Sequence, residues 1–186
     1  MLSIDAYHAA LPFEEFLTQF GSASDRARWE RTRENTALTA EQTVLLKKFT
    51  RQMNVLVLAG AWCGDCAANC PIFERFAQVA PTIRLRYLDR DAHPKVQQEL
   101  QINGGNRVPV AVFFSEDGYE VGRYGERTLT SYRRMAGESS GEACSTGIVG
   151  AGDPYHAAVT ADWLREFERC QWILRLSPRL RRLHQD

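Results

Sequence analysis

The amino-acid sequence predicts an α/β fold: a mixed sheet of four strands with helices on both of its faces. Short apolar runs of strand length alternate with helical periodicity between residues 40 and 124. A helix separates the first two strands, which is typical of a parallel pair, whereas the turn Glu116-Asp117-Gly118 joins the last two as a hairpin. With 44% hydrophobic and 25% charged residues, the composition is that of a globular protein.

Residues 1–38 are predicted to form an N-terminal helical extension. Gly21 ends a first helical run, in which apolar side chains recur every three or four residues (Phe13, Phe16, Leu17 and Phe20). Residues 24–35 are highly charged, and Trp29 is their only large apolar side chain. This stretch is therefore predicted to be a surface helix or a helical linker.

Residues 39–136 are predicted to form the main domain. The capping-box pair Thr39 and Gln42 indicates the start of a helix over about residues 40–52. The continuous apolar run at 55–60 is typical of a strand buried on both faces. Further strands are predicted at 83–88, 110–114 and 119–124, with helices from about residue 63 to Pro81 and over 94–100.

Residues 137–186 are predicted to pack on the main domain as a loop followed by a helix. The segment 137–153 is rich in glycine and serine, which is typical of a long loop. An amphipathic helix follows, with its apolar positions at Trp163, Leu164, Phe167, Cys170, Ile173 and Leu174. The arginines that come after them are typical of a solvated helix end.

Charge and hydropathy narrow the range of partners. The 23 basic and 23 acidic residues balance, so the net charge gives no indication of nucleic-acid binding. The longest apolar runs are too short to cross a membrane, and the N-terminus lacks the basic and apolar regions of a secretory signal. The protein is therefore expected to be cytoplasmic unless a signal has been removed, and to bind neither nucleic acid nor membrane.

The five cysteines are distributed unevenly. Cys63, Cys66 and Cys70 fall within eight residues, whereas Cys144 and Cys170 are distant. A disulfide scaffold would spread its cysteines more evenly over a shorter chain, so the cluster indicates redox or metal chemistry.

Cys63 and Cys66 stand where a predicted strand runs directly into a predicted helix. A cysteine in the first turn of a helix faces unpaired backbone N–H groups and the positive end of the helix dipole. The sequence therefore predicts a lowered pKa for Cys63 and a role as the attacking nucleophile. Cys66 lies one turn further along the helix and is expected to be more buried. It would resolve the mixed disulfide that Cys63 forms.

The stretch from about residue 54 to 126 resembles the thioredoxin family. The resemblance rests on the motif Trp62-Cys63-Gly64-Asp65-Cys66, on Pro71 within the following helix, and on Val108-Pro109 before a strand. It implies a thioredoxin-like fold and a thiol–disulfide oxidoreductase without a cofactor. It also implies a cis Pro109, a substrate segment paired with the backbone of Val108, and Trp62 packed against the active-site turn with one edge exposed.

Two positions depart from the family pattern. Gly64-Asp65 stands between the cysteines, where Gly-Pro is typical, and the charge of Asp65 disfavours a Cys63 thiolate. A less stabilised thiolate favours the disulfide, so the protein is expected to work in the reducing direction. The position of the family's buried acid, six residues before the first cysteine, holds Val57. Asp91 and His93 are alternative proton acceptors for Cys66.

The remaining cysteines leave alternatives open. Cys70 is expected to be a small core residue, although Cys-x2-Cys-x3-Cys-Pro also matches part of an iron–sulfur run. Cys170 is expected in the core, and Cys144 is either an exposed spectator or an additional thiol near the site. The sequence thus predicts an oxidoreductase with a protein or small-molecule disulfide as substrate and an electron-donating reductase as partner. A binding module without turnover and a metal or iron–sulfur protein are the alternatives.

Overall fold

The computed structural model describes residues 2–137 and 152–185, in which four strands form one mixed sheet. The strands are β1 Met53–Ala59, β2 Ile83–Asp89, β3 Val110–Ser115 and β4 Glu120–Gly125. Their order across the sheet is β2–β1–β3–β4, with β1 parallel to β2 and the other neighbours antiparallel. The α/β fold and the mixed sheet predicted from the sequence are confirmed, with strand ends shifted by one or two residues.

Helices cover both faces of this sheet. Within the described residues they are α1 Asp5–Ala9, α2 Phe13–Phe20, α3 Ala23–Asn35, α4 Ala40–Leu46, α5 Gly64–Val79, α6 Pro94–Glu99, α7 Leu129–Gly137, α8 Pro154–Arg175 and α9 Pro178–His184. No helix of the described part is both long enough and apolar enough to cross a membrane.

The central strand β1 positions the cysteine cluster. All seven of its side chains are buried, as expected for a strand covered on both faces. Its carboxyl end leads through Gly60 and Trp62 into α5. A Cβ atom added at Gly60 would lie 2.9 Å from the Trp62 indole, so glycine allows the ring to fold back over the backbone here.

The helix predicted over residues 24–35 is present and most of its side chains are exposed or half-buried, as expected for a surface helix, but it is not a linker. The corresponding helix α3 packs against α5, and its Trp29 is fully buried. The Trp29 ring lies 5.8 Å from the rings of Phe13 and Phe16 and 6.3 Å from that of Tyr87. One large aromatic side chain fixes this helix by tertiary contact, which periodicity does not reveal because α3 has no second large apolar side chain.

Two further helices differ from the sequence predictions. Helix α4 ends at Leu46 rather than near residue 52, because the N–H groups of Lys48 and Phe49 bond to carbonyls only three residues back and close a turn. Helix α7 was not predicted. Its buried residue is Ser131, whereas its apolar residues Leu129 and Tyr132 are about half exposed, so the buried position is not the one that an apolar pattern would indicate.

The closing amphipathic helix is confirmed as α8, which starts at the capping residue Asp153, but Ile173 lies on its exposed side rather than in the core. Its Trp163 and Phe167 rings lie 4.6 Å and 5.4 Å from the ring of Phe73 on α5. The Trp163 indole also donates to the Asn69 side chain over 2.7 Å. Most of the glycine- and serine-rich segment predicted over 137–153, with Cys144, lies outside the described residues.

Candidate active site

Cys63 is the residue that starts α5. Its N–H bonds to the carbonyl of Gly60 over 3.0 Å, and its own carbonyl accepts the N–H of Ala67 over 2.9 Å. Gly64 and Asp65 form the first turn and are buried. The predicted passage from a strand through Cys63 into a helix is therefore present, and the backbone N–H of Cys66 in the first turn bonds to the Cys63 side chain.

The two motif cysteines form a pair of contacting thiols. Cys63, Cys66, Cys70 and Cys170 are all free thiols, and the Cys63 and Cys66 side chains are within hydrogen-bonding contact. Cys63 retains 5% of its surface, whereas Cys66 is fully buried and accepts the N–H of Gly60 over 3.4 Å. Cys66 is thus the more buried of the two, as predicted, and Cys63 is the member of the pair that retains accessible surface.

The loop before β3 completes the site from the other side. The Val108–Pro109 peptide bond is cis, and the Val108 carbonyl oxygen lies 3.9 Å from the Cys63 sulfur. This contact joins residues 45 positions apart in the chain. A backbone carbonyl therefore stands directly beside the more exposed thiol.

Trp62 covers one flank of the site and is 48% exposed. The Arg90 guanidinium stacks 4.7 Å from its ring centre, and its indole N–H donates to Asp91 over 3.3 Å. The Arg28 guanidinium donates to the Trp62 carbonyl over 2.9 Å. The ring is thus held at its edge and on one face, and keeps an exposed surface.

Neither alternative proton acceptor for Cys66 reaches the buried thiol. Asp91 is occupied at the surface with Trp62 and Arg90. The His93 ring bonds to the Asp89 carbonyl over 3.0 Å, at the start of α6. Both belong to the turn after β2, and no hydrogen bond joins either of them to Cys66 within the described residues.

The predicted lowering of the Cys63 pKa is wrong. The contact with the Cys66 thiol and burial raise the pKa of Cys63, and the Asp65 carboxylate acts in the same direction. The backbone N–H of Cys66 acts against these effects but is outweighed. Burial also raises the pKa of Cys66. The helix-terminus argument fails here because it leaves out desolvation and the second thiol.

Asp65 has a partner that the sequence does not reveal. Arg127, which lies between β4 and α7, donates to the Asp65 carboxylate over 2.7 Å, and both side chains are buried. Arg127 also pairs with Glu126 at 3.1 Å, and Tyr132 of α7 donates to Glu126 over the same distance. The charge of Asp65 is therefore largely compensated, and the ion pair ties the start of α5 to the chain after β4.

Cys70 and Cys170 are fully buried, as predicted for core residues. Across residues 2–137 and 152–185, no three His, Cys, Asp or Glu side chains are grouped so as to hold a metal ion. The iron–sulfur alternative therefore rests on sequence spacing alone.

Most of this chain is similar in sequence to one known protein family. A model of the thioredoxin family matches residues 10–136. The chain belongs to the thioredoxin family. A thioredoxin from Chlamydia muridarum is 34% identical over 62 residues, which are 33% of this chain and 57% of that protein. The match therefore spans little more than half of the relative.

Two solved structures share the fold. A protein of unknown function from Pseudomonas aeruginosa superposes with a TM-score of 0.69 at 21% identity, covering 91% of this chain and 99% of its own. An HIV epitope scaffold superposes with a TM-score of 0.63 at 20% identity, covering 88% and 96%. Each superposition covers a larger part of this chain than the family model does, which matches residues 10–136.

Proposed function

We propose that this thioredoxin-family protein is a thiol–disulfide oxidoreductase. The Cys63 thiolate attacks one sulfur of a substrate disulfide, and the other sulfur leaves as a thiolate. Cys66, once deprotonated, attacks the Cys63 sulfur, releases the second substrate thiolate and leaves a Cys63–Cys66 disulfide. The observation that carries this proposal is the pair of contacting thiols at the start of α5, of which only Cys63 keeps an exposed surface.

The substrate is a disulfide in an extended peptide segment or a small molecule. The exposed face of Trp62 and the backbone of Val108, next to Pro109, flank Cys63 on two sides. Backbone groups recognise an extended segment whatever its side chains, as in strand addition. An electron-donating reductase would then return the Cys63–Cys66 disulfide to two thiols.

The raised pKa values favour the reducing direction. A protein that stabilises its thiolate is a strong oxidant, because its reduced form is favoured. Here the contact with Cys66 and burial raise the pKa of Cys63, and burial raises the pKa of Cys66, so the thiolate is disfavoured and the disulfide is relatively stable. Such a pair gives its electrons to a substrate, which fits a reducing compartment such as the cytoplasm.

The test is reduction of insulin disulfides by the wild type and by Cys63→Ser and Cys66→Ser. We expect turnover in the wild type and none in Cys63→Ser, while Cys66→Ser accumulates a mixed disulfide at Cys63. Cys170→Ala is the matched control, because it removes a buried thiol far from the motif in sequence and should retain the activity. A wild type that reduces no disulfide, or a Cys63→Ser variant as active as the wild type, would contradict the proposal.

A binding module without turnover is the second candidate. Two observations favour it: Val57 occupies the position of the family's buried acid, and Cys63 is only 5% exposed with a raised pKa. Such a module would bind its partner equally well after Cys63→Ser. It would also form no trapped disulfide in Cys66→Ser, which separates it from the enzyme.

A further inference from the structure

The proposed reaction requires Cys66 to lose a proton in a fully buried position. A thiol attacks a disulfide only as the thiolate, and a buried thiolate is costly unless a nearby group compensates for it. Val57 has no proton-accepting group, and Asp65 is engaged with Arg127 at 2.7 Å. The acceptor must therefore come from another part of the structure.

Three side chains that can exchange protons follow one another in a row along α5 from the site towards the carboxyl end of the helix. Cys66, Cys70 and Glu74 follow each other at intervals of four residues, so they lie on one face of the helix. The thiols of Cys66 and Cys70 are within hydrogen-bonding contact. The Tyr87 hydroxyl of β2 joins the far end of the row: it donates to Glu74 over 2.8 Å and lies 3.4 Å from the Cys70 carbonyl oxygen.

Glu74 connects this buried row with the surface. Tyr87 faces it from β2, Arg33 from α3 and Glu14 from α2, and Arg33 pairs with Glu14 at 2.8 Å. Burial raises the pKa of Glu74 to about 7, although Tyr87 and Arg33 act to lower it. A carboxyl in this state takes up and releases protons near neutral pH.

We propose that Glu74 accepts the proton of Cys66 when Cys66 resolves the mixed disulfide. This inference rests on the proposed oxidoreductase function. The Cys66 proton moves to the Cys70 sulfur, which it contacts, while the Cys70 proton moves to the Glu74 carboxylate one helical turn along α5, whose charge acts on the Cys70 thiol, so Cys70 remains a thiol. The Cys66 thiolate then forms the bond to the Cys63 sulfur, and the substrate sulfur leaves with the electron pair of the broken disulfide. Glu74 returns its proton to solvent near Arg33 and Glu14.

The physical advantage is a constant buried charge. Ionising Cys66 alone would add a second negative charge to a low-dielectric region that already holds the Glu74 carboxylate. Moving the proton from Cys66 to Glu74 keeps a single negative charge in the cluster. Glu74 acts through Cys70 and does not touch the reacting sulfurs, so it is a positioning residue for the proton.

The reaction with an aromatic disulfide, 5,5′-dithiobis(2-nitrobenzoate), separates the two steps by stopped flow. Cys63 releases the first coloured thiolate when it attacks, and Cys66 releases the second when it resolves the mixed disulfide. Cys144 and Cys170 are replaced by alanine in every variant, so both signals come from the cluster. If the wild type shows no first phase, the proposed oxidoreductase function is contradicted. The rate of the second phase tests the role of Glu74.

In Glu74→Gln we expect the first phase to be retained and the second to slow at least about tenfold at pH 7, in the lower range of general acid–base effects. The inflection near pH 7 in the second-phase rate of the wild type should be absent in Glu74→Gln. Glu74→Asp should restore part of the rate. Cys70→Ala should slow the same phase. The control Glu30→Gln removes a more exposed carboxylate that pairs with the same Arg33, and should change neither phase.

Tyr87→Phe gives an independent check, because its ring keeps the shape of the core while the donor to Glu74 is lost. The inflection should then move to higher pH, since the hydroxyl acts to lower the Glu74 pKa. The inference would be overturned by a Glu74→Gln second phase with the rate and pH profile of the wild type. An unmoved inflection in Tyr87→Phe would overturn it equally.

Discussion

Replacing Glu74 with glutamine is expected to change how the stability of the protein depends on pH. In the folded protein, burial raises the Glu74 pKa from 4.5 to about 7. The folded state therefore binds this proton more tightly than the unfolded state does. Glu74 stabilises the fold fully below about pH 4.5, and this contribution is lost as the pH rises towards 7.

The size of the effect follows from the shift. One pKa unit corresponds to about 1.4 kcal/mol, so the shift of Glu74 from 4.5 to about 7 sets an upper limit of about 3.5 kcal/mol on the change in the free energy of unfolding. Glutamine keeps an oxygen that accepts from Tyr87 but carries no charge. Glu74→Gln should therefore gain stability relative to the wild type as the pH rises, up to that limit near pH 8.

Urea unfolding between pH 4 and pH 8, followed by tryptophan fluorescence, measures the difference between the two proteins. Groups that titrate equally in both proteins cancel in this difference. His156, whose pKa is lowered by burial, is one of them. Glu30→Gln serves as the control and should show the pH dependence of the wild type. A difference between Glu74→Gln and wild type that stays constant over this range would refute the assignment of Glu74 as a partly buried carboxyl with a raised pKa.

Three further results are expected. Arg127→Leu should lower the free energy of unfolding by about 3–5 kcal/mol, because it leaves the Asp65 carboxylate buried without this cation. The double variant Arg127→Leu, Asp65→Asn should lose less stability than the single variant, and urea unfolding measures both. Trp29→Phe should cost about 2–4 kcal/mol in the same assay, since it opens a cavity and removes the donor to the Ala61 carbonyl. Cys170, whose pKa burial raises to about 12, should resist iodoacetamide at pH 8 in the folded protein and react after unfolding, as mass spectrometry of the labelled peptide would show.

The elements around the cysteine motif could be predicted because they depend on local sequence. The apolar run of β1 and the helix that starts at Cys63 follow from short-range patterns, and the structure places them within a residue or two of the expected positions. The hairpin of β3 and β4 follows in the same way from its turn residues. Helix α7 could not be predicted, since its buried residue is a serine and its position is set by contact with α8.

The side chains that tune the site were beyond prediction, because each reaches it from a distant part of the chain. Trp29 donates to a carbonyl 32 residues away, and Arg127 reaches a carboxylate 62 residues away. Glu74 and its partner Tyr87 are separated by 13 residues, and the partner belongs to the sheet. The spacing of Cys66, Cys70 and Glu74 was readable as one helix face, but only the fold shows that this face is buried against Tyr87.

By itself, the sequence determined the strand, the helix and the pair of cysteines at their junction, since these depend on hydrophobic periodicity and on the order of residues along the backbone. The tertiary structure decided how those cysteines ionise. Whether a thiol or carboxyl loses its proton depends on the water removed from it and on the charges brought near it. Here the neighbouring Cys66 and Asp65 act together with the burial that the folded chain imposes, so a helix terminus that favours a thiolate became a buried site that disfavours one.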